Sequence, residues 1–133
     1  MTSIAFRLVS FCAGAVVLSA CTSSLDGIPV CTDDFRHGLS VTVVDSVTSA
    51  PPASAVLIAR SGAFVDSVGP ATPHPVVQNG PPVLLLFSAG ERPGTYDLTV
   101  RSPGYRDWTR NGVNVTADEC HVRLTKVTAR LQQ

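Results

Sequence analysis

Beyond residue 38, apolar and polar residues alternate along much of this chain with a period of two. Leu39-Ser40-Val41-Thr42-Val43-Val44-Asp45 opens the pattern and predicts a strand with Val41 and Val43 facing inward. A turn-rich break over residues 46–52 ends in Pro51-Pro52. Residues 53–60 predict a second strand, with Val56 and Ile58 on one face and Leu57 on the other. Gly62 marks a turn, and residues 64–68 supply a short hairpin partner. Residues 68–82 contain Pro70, Pro73, Pro75, Pro81 and Pro82 with Gly69 and Gly80. Proline removes ladder donors, so this stretch reads as a loop or an edge. Val83-Leu84-Leu85-Leu86-Phe87 is apolar on both faces and predicts a central strand covered on both sides. Exposed, such a run invites aggregation, and the prolines before it limit its pairing.

The last third is the most regular. Gly94-Thr95-Tyr96-Asp97-Leu98-Thr99-Val100-Arg101 predicts a strand that buries Tyr96, Leu98 and Val100. Pro103-Gly104 predicts a tight turn. Residues 105–110 predict a strand, Asn111-Gly112 a two-residue hairpin, and residues 113–116 its return. After a turn at Ala117-Asp118-Glu119, residues 120–131 predict the final strand. Its parity slips between Leu124 and Val127, and a bulge near Thr125-Lys126 would keep both apolar sets inward. About seven short strands of this kind predict an all-β sandwich.

The start of the chain is different. Arg7 precedes an apolar run from Leu8 to Leu18, too short for the roughly 20 residues of a membrane-spanning helix. It reads as the core of a secretory leader. Leu18-Ser19-Ala20-Cys21 closes it and resembles the bacterial lipoprotein signal. An ordinary leader cleaved near Ala20, with Cys21 left free, is the alternative. The resemblance implies cleavage before Cys21 and thioether lipidation of that residue. Two acyl chains hold a protein to a bilayer far better than one, at about 0.8 kcal/mol per buried methylene. The mature protein is then expected to be lipid-anchored in the bacterial cell envelope. Thr22 stands where an Asp would mark inner-membrane retention in some bacteria, which favours the outer membrane, facing the periplasm or the surface. The expected division is residues 1–20 signal peptide, 21–38 lipidated tether and 39–133 folded domain.

Composition narrows the function classes. Ten Lys and Arg balance ten Asp and Glu, and loss of Arg7 with the leader leaves nine against ten. That balance gives no electrostatic basis for nucleic-acid binding. There are four cysteines. Cys12 leaves with the leader and Cys21 takes lipid, so Cys31 and Cys120 form an even pair in an oxidising compartment, and a disulfide is their simplest use. A metal site of Cys31, His37, Cys120 and His121 is the competing use, but the spacing lacks the Cys-x-x-Cys of structural zinc.

Two blocks carry a family resemblance. Val41-Thr42-Val43-Val44-Asp45-Ser46-Val47-Thr48-Ser49-Ala50-Pro51 and Arg92-Pro93-Gly94-Thr95-Tyr96-Asp97-Leu98-Thr99-Val100, followed by Ser102-Pro103-Gly104-Tyr105, resemble the carboxypeptidase regulatory-like domain. The resemblance implies a transthyretin-like (prealbumin-like) Greek-key β-sandwich. Ser49 stands where the family has Gly, and the proline-rich stretch replaces its acidic-Gly-aromatic segment. Such domains have no catalysis of their own and act as accessory or interaction modules. The sequence also carries no His-Glu-x-x-His, no Gly-x-Ser-x-Gly and no phosphate loop. The expectation is a non-enzymatic envelope lipoprotein with no cofactor, working as a structural or protein-interaction module with an envelope protein as partner. A carbohydrate- or small-ligand-binding lipoprotein is the alternative. Arg106, Trp108 and Arg110 would share a face on an extended strand, and an indole among guanidiniums can stack sugars or clamp an acidic peptide. Packing of Trp108 on the sandwich rim under the arginines is the competing account. Asp33-Asp34 and the Asn114-Val115-Thr116 sequon pattern read as solvated acids and turn-friendly residues.

Overall fold

A computed structural model describes residues 30–75 and 81–133. The leader, Cys21 and the first part of the expected tether lie outside the described residues. The chain forms β1 (Leu39–Asp45), β2 (Ala55–Ser61), β3 (Phe64–Ala71), β4 (His74–Pro75), β5 (Pro82–Ser88), β6 (Gly94–Arg101), β7 (Trp108–Val115) and β8 (Thr125–Leu131). They build two four-stranded sheets, ordered β4-β5-β1-β8 and β3-β2-β6-β7. The expected all-β sandwich is present. Every neighbouring pair is antiparallel except β1 and β8, which run parallel from Leu39 beside Thr125 to Asp45 beside Leu131.

The period-two pattern decides which side chains meet between the sheets. Leu39, Val41 and Val43 of β1 are fully buried, as are Leu57 and Ala59 of β2 and Tyr96 and Val100 of β6. Leu84 and Leu86 of β5 and Val127, Ala129 and Leu131 of β8 complete this core. Tyr96 brings its ring into the core, and its hydroxyl donates to the carbonyl of Arg92 at 2.9 Å. A buried phenol needs such a partner. Phe64 packs edge-on to the Tyr96 ring, and the Arg92 guanidinium lies 4.4 Å over Phe64. The Pro103-Gly104 turn forms as expected: Tyr105 N–H donates to Ser102 O at 3.1 Å, with φ of 83° at Gly104.

Several local expectations are corrected. Asn111-Gly112 does not turn a hairpin. It lies inside β7, where Tyr96 faces Val113 but Leu98 faces Arg110, so the register shifts by a bulge. Gly112 takes φ of 70° there, and its N–H donates to Asp97 Oδ1 at 3.0 Å. Hairpin turn and glycine bulge demand the same left-handed backbone, which is why the dipeptide fits either. The preceding strand begins at Trp108, not at residue 105. The final strand begins at Thr125, and its pairing with β1 is unbroken, so no bulge falls at Thr125-Lys126. Val122 is still buried, but Leu124 is 46% exposed.

The middle is more ordered than the prolines suggest. β3 runs on to Ala71 through Pro70, which an edge strand tolerates. β4 pairs with the start of β5. β5 is not covered on both sides. Leu84, Leu86 and Ser88 face the core, whereas Val83 and Leu85 are half-buried on the outer face and Phe87 is 41% exposed.

Ser49 lies in the left-handed region with φ of 59°, in a turn closed by Ser49 N–H to Asp45 O at 3.0 Å. That conformation costs an L-residue about 1–2 kcal/mol, partly offset in glycine by a freer unfolded chain. Ser49→Gly is therefore expected to raise stability by about 0.5 kcal/mol, and Gly112→Ala to lower it by about 1 kcal/mol. Urea denaturation reads both, and equal effects of the two changes would contradict the turn and bulge assigned here.

Candidate functional site

The strand directions give the sandwich two poles. At the first lie the start of β1, the end of β5 and the start of β8, tied together by Gly38 N–H to Ala89 O at 3.0 Å and Thr125 N–H to Gly38 O at 2.8 Å. Residues 30–38 form no strand and are fastened at this pole. Cys31 and Cys120 form a disulfide, with their Cα atoms 5.2 Å apart. The expected pairing is correct, but Cys120 lies in the β7–β8 loop and not in the last strand. Phe35 lies over Gly90, where an added Cβ would stand 2.6 Å from the ring.

Glu91 is the hub of this clasp. Its Oε1 accepts from Arg36 N–H at 2.7 Å and sits 3.0 Å from His121 Nδ1, while Oε2 accepts from Val122 N–H at 3.2 Å. One carboxylate thus joins the incoming segment, the β5–β6 loop and the β7–β8 loop. Burial opposes its charge, but the hydrogen bonds from Val122, Arg36 and His121 prevail and hold Glu91 below its ordinary value. The other face of the imidazole, Nε2, lies 3.1 Å from Thr32 Oγ1, which also donates to Asp34 Oδ2 at 3.2 Å. These residues line a depression of about 330 Å³.

Hydroxyl, imidazole and carboxylate in line can serve as a nucleophile relay. Here the geometry suits a latch better. The Thr32 hydroxyl proton is given to Asp34. The nearby N–H groups of Cys120 and His121, which could otherwise stabilise an oxyanion, both donate to Asp118 Oδ1 at 3.0 Å. Those two bonds are the main reason Asp118 is held below its ordinary value. Sequence reading named Cys31 and Cys120 but missed Glu91 and Thr32, whose partners are remote in sequence. The turn at Ala117-Asp118-Glu119 was legible, because Asp caps the backbone two and three residues on. Asp33 and Asp34 line the depression, and Asn114 is exposed in β7. With its two sulfurs bonded to each other, the alternative Cys/His metal site loses its thiolates. Among the described residues no group of three or more His, Cys, Asp or Glu is arranged to hold a metal ion.

The opposite pole carries the β1–β2 and β6–β7 loops and the C-terminus. Arg106 precedes β7, and its N–H donates to Gln132 O at 2.8 Å. Trp108 opens β7 opposite Val100 and is half-buried against the core. Arg110 pairs opposite Leu98, so it follows Trp108 on the same side of the strand but is exposed. Arg106 and Trp108 border one depression of about 330 Å³, together with Arg130 from β8. Arg110 is not part of that border. The structure thus brings together two of the three residues singled out and adds Arg130, which no sequence spacing links to them. Trp108 packs against the core from the rim of the sandwich. The cation held over an aromatic ring among the described residues is Arg92, over Phe64.

Comparison with protein-family models and with curated proteins gives no match.

Reducing the disulfide, or replacing both cysteines with alanine, is expected to cost about 2 kcal/mol, the low end of the usual range of about 2–5. Residues 31–37 belong to no strand, so the bond constrains less regular structure than one between core strands. A loss above about 4 kcal/mol in urea denaturation would place the bond in the core framework instead. Glu91 gives an acid signature. Its folded value is lowered, so its contribution is complete above the ordinary Glu value of about 4.3 and fades as pH falls through the lowered one. Glu91→Gln should therefore be less stable than the parent near neutrality, with the gap narrowing as pH falls from about 5 to about 3. A gap independent of pH would show that the charge on Glu91 does not hold the clasp.

Proposed function

We propose that this chain is a lipid-anchored protein of the bacterial cell envelope, without catalytic chemistry of its own, that acts as a structural or protein-interaction module. The module is a carboxypeptidase regulatory-like sandwich. Four features support that family reading. There are two packed sheets of four strands, a buried Tyr96 with its hydroxyl on backbone, a turn at Pro103-Gly104, and a left-handed Ser49 where the family has Gly.

The observation that carries the functional reading is the position of the clasp. Cys31 follows Cys21 by ten residues, and ten residues reach at most about 35 Å. The disulfide fixes Cys31 at one pole, while Arg106, Trp108 and the C-terminus lie at the other. With Cys21 in a bilayer, the tether joins the sandwich at the clasp pole and leaves the far pole clear of the point of attachment. The disulfide itself suits an oxidising compartment.

Cys21→Ser tests the anchor. The parent protein is expected in the membrane fraction, with residue 21 at its amino terminus carrying acyl chains by mass spectrometry. The variant is expected in the soluble fraction. A parent that retains Met1, or an unacylated residue 21, would overturn the anchored reading. A photo-crosslinker at Thr109 of the far pole is expected to capture an envelope protein that the same group at Glu119, beside the clasp, does not. The depression at Arg106, Trp108 and Arg130 favours a second reading, in which the far pole holds a carbohydrate or small ligand directly.

A further inference from the structure

We propose that the rim between β7 and β8 at the far pole binds an acidic glycan, with a sugar ring against Trp108 and its carboxylate taken by Arg106 or Arg130. This inference rests on the second reading of the far pole and does not require acylation of Cys21.

Charge is sorted along the molecule. Formal charge over the chain is zero, yet the far pole carries Arg101, Arg106 and Arg130, with Arg110 further along β7. Two acids lie there as well, one of them, Asp107, on the border of the same depression, and both are engaged by other groups. Asp107 takes Arg101 at 2.9 Å, and Asp45 is buried with Oδ1 accepting from Val47 and Thr48 N–H. Among the described residues no carboxylate lies within 4.0 Å of the Arg106, Arg110 or Arg130 guanidinium, whereas Arg36 and Arg123 at the clasp pole each pair with an Asp. Unpaired guanidiniums at one end of a neutral protein are available to a planar anion, which they can grip with two hydrogen bonds.

Trp108 supplies the second component. Its inner side packs on the core, so the indole is held in place, and its remaining surface borders the depression. A fixed indole offers a platform to a sugar ring at little entropic cost. Thr109 and Gln132 on the same border can bond ring hydroxyls. About 330 Å³ is at the small end of ligand sites, suited to a ring or two of a longer chain. The parts also stand on anchored backbone: Arg106 N–H holds Gln132 O at 2.8 Å, and Trp108 and Arg130 sit in strands.

An acidic peptide could use the same arginines, and its usual route would be addition to the β7 edge. The bulge at Gly112 breaks the register of that edge, which disfavours an added strand. The observations therefore favour the glycan.

Trp108 is the only tryptophan, so its fluorescence reports this site alone. The intact protein, purified in detergent, would be titrated with galacturonic acid oligomers, with neutral malto-oligosaccharides of equal length, and with polyglutamate. The expected result is a saturating change in Trp emission with the galacturonate series only. Arg106→Gln or Arg130→Gln should weaken it about tenfold, while Arg60→Gln on the remote β2 strand leaves it intact. Trp108→Phe, which keeps an aromatic ring for packing, should lose most of the affinity by calorimetry. No response to galacturonate, an equal response to polyglutamate, or unaltered affinity in the two arginine variants would each overturn the proposal. Crosslinking to an envelope protein from the far pole, with no galacturonate response, would overturn this inference and leave the interaction module standing.

Discussion

The parallel pairing of the first strand with the last governs the arrangement of this molecule. β1 lies between β5 and β8, and its register with β8 is unbroken over seven residues. Nothing local in the sequence forms this contact, because residues 39 and 125 must meet across almost the whole of the strand-bearing region. Such non-local pairing is entropically costly to close and has to be supported by burial. Val41, Val43, Val127 and Ala129 supply that burial on the inner face. Once β1 and β8 lie side by side and point the same way, their starting ends coincide. The segment before β1 and the loop before β8 are then neighbours, which brings Cys31 within bonding distance of Cys120 and His121 within reach of Glu91. The clasp is a consequence of the strand order.

How much of this could be read beforehand depends on whether the information was local. The inward set of β6 was legible because Tyr96, Leu98 and Val100 repeat with period two and nothing interrupts them. The same rule placed β1. It misled at β5, where an uninterrupted apolar run is compatible with cover on both faces or on one, and only the strand order decides. Asn111-Gly112 was read as a hairpin because left-handed backbone is the property the dipeptide encodes, and a hairpin and a bulge both use it. Leu124 was assigned inward by parity, but the chain there is not yet a strand, so parity does not apply. At the candidate sites, Trp108 stood out by type and Cys31 with Cys120 by elimination. Glu91 and Arg130 had no signal, because each works through partners in other loops or in the other sheet.

The two poles differ in what their charges do. At the clasp pole the carboxylates of Glu91 and Asp118 are saturated with backbone donors, and their lowered protonation equilibria record that use. These are groups fixing loops in place. Asp45 behaves in the same way, its charge held mainly by Thr48 and Val47 N–H, and it shapes the turn that contains Ser49. Arg106 and Arg130 at the far pole have no such internal employment. A guanidinium packed over a ring, as Arg92 is over Phe64, contributes to the fold, whereas one that neither stacks nor pairs contributes little to stability. That contrast, and not the number of charges, separates the clasp from the far pole.

The clasp also bears on the exposed side of β5. Val83, Leu85 and Phe87 form an apolar stripe on the outer face of a strand whose far neighbour, β4, covers only its beginning. Such an edge is a template for unwanted pairing. Two features blunt it within the chain. Asp66 of β3 reaches across to Ser88 Oγ at 2.6 Å and Ala89 N–H at 3.1 Å, occupying the end of the strand with a charged side chain. His37 lies against the Phe87 ring at 5.5 Å, with Phe35 edge-on behind it at 5.1 Å. Both of those rings belong to the segment that the disulfide and Glu91 hold down. Detaching that segment would free residues 31–37 and uncover Phe87 in the same event. One set of contacts therefore controls both the path of the chain into the first strand and how much of the most adhesive strand meets solvent.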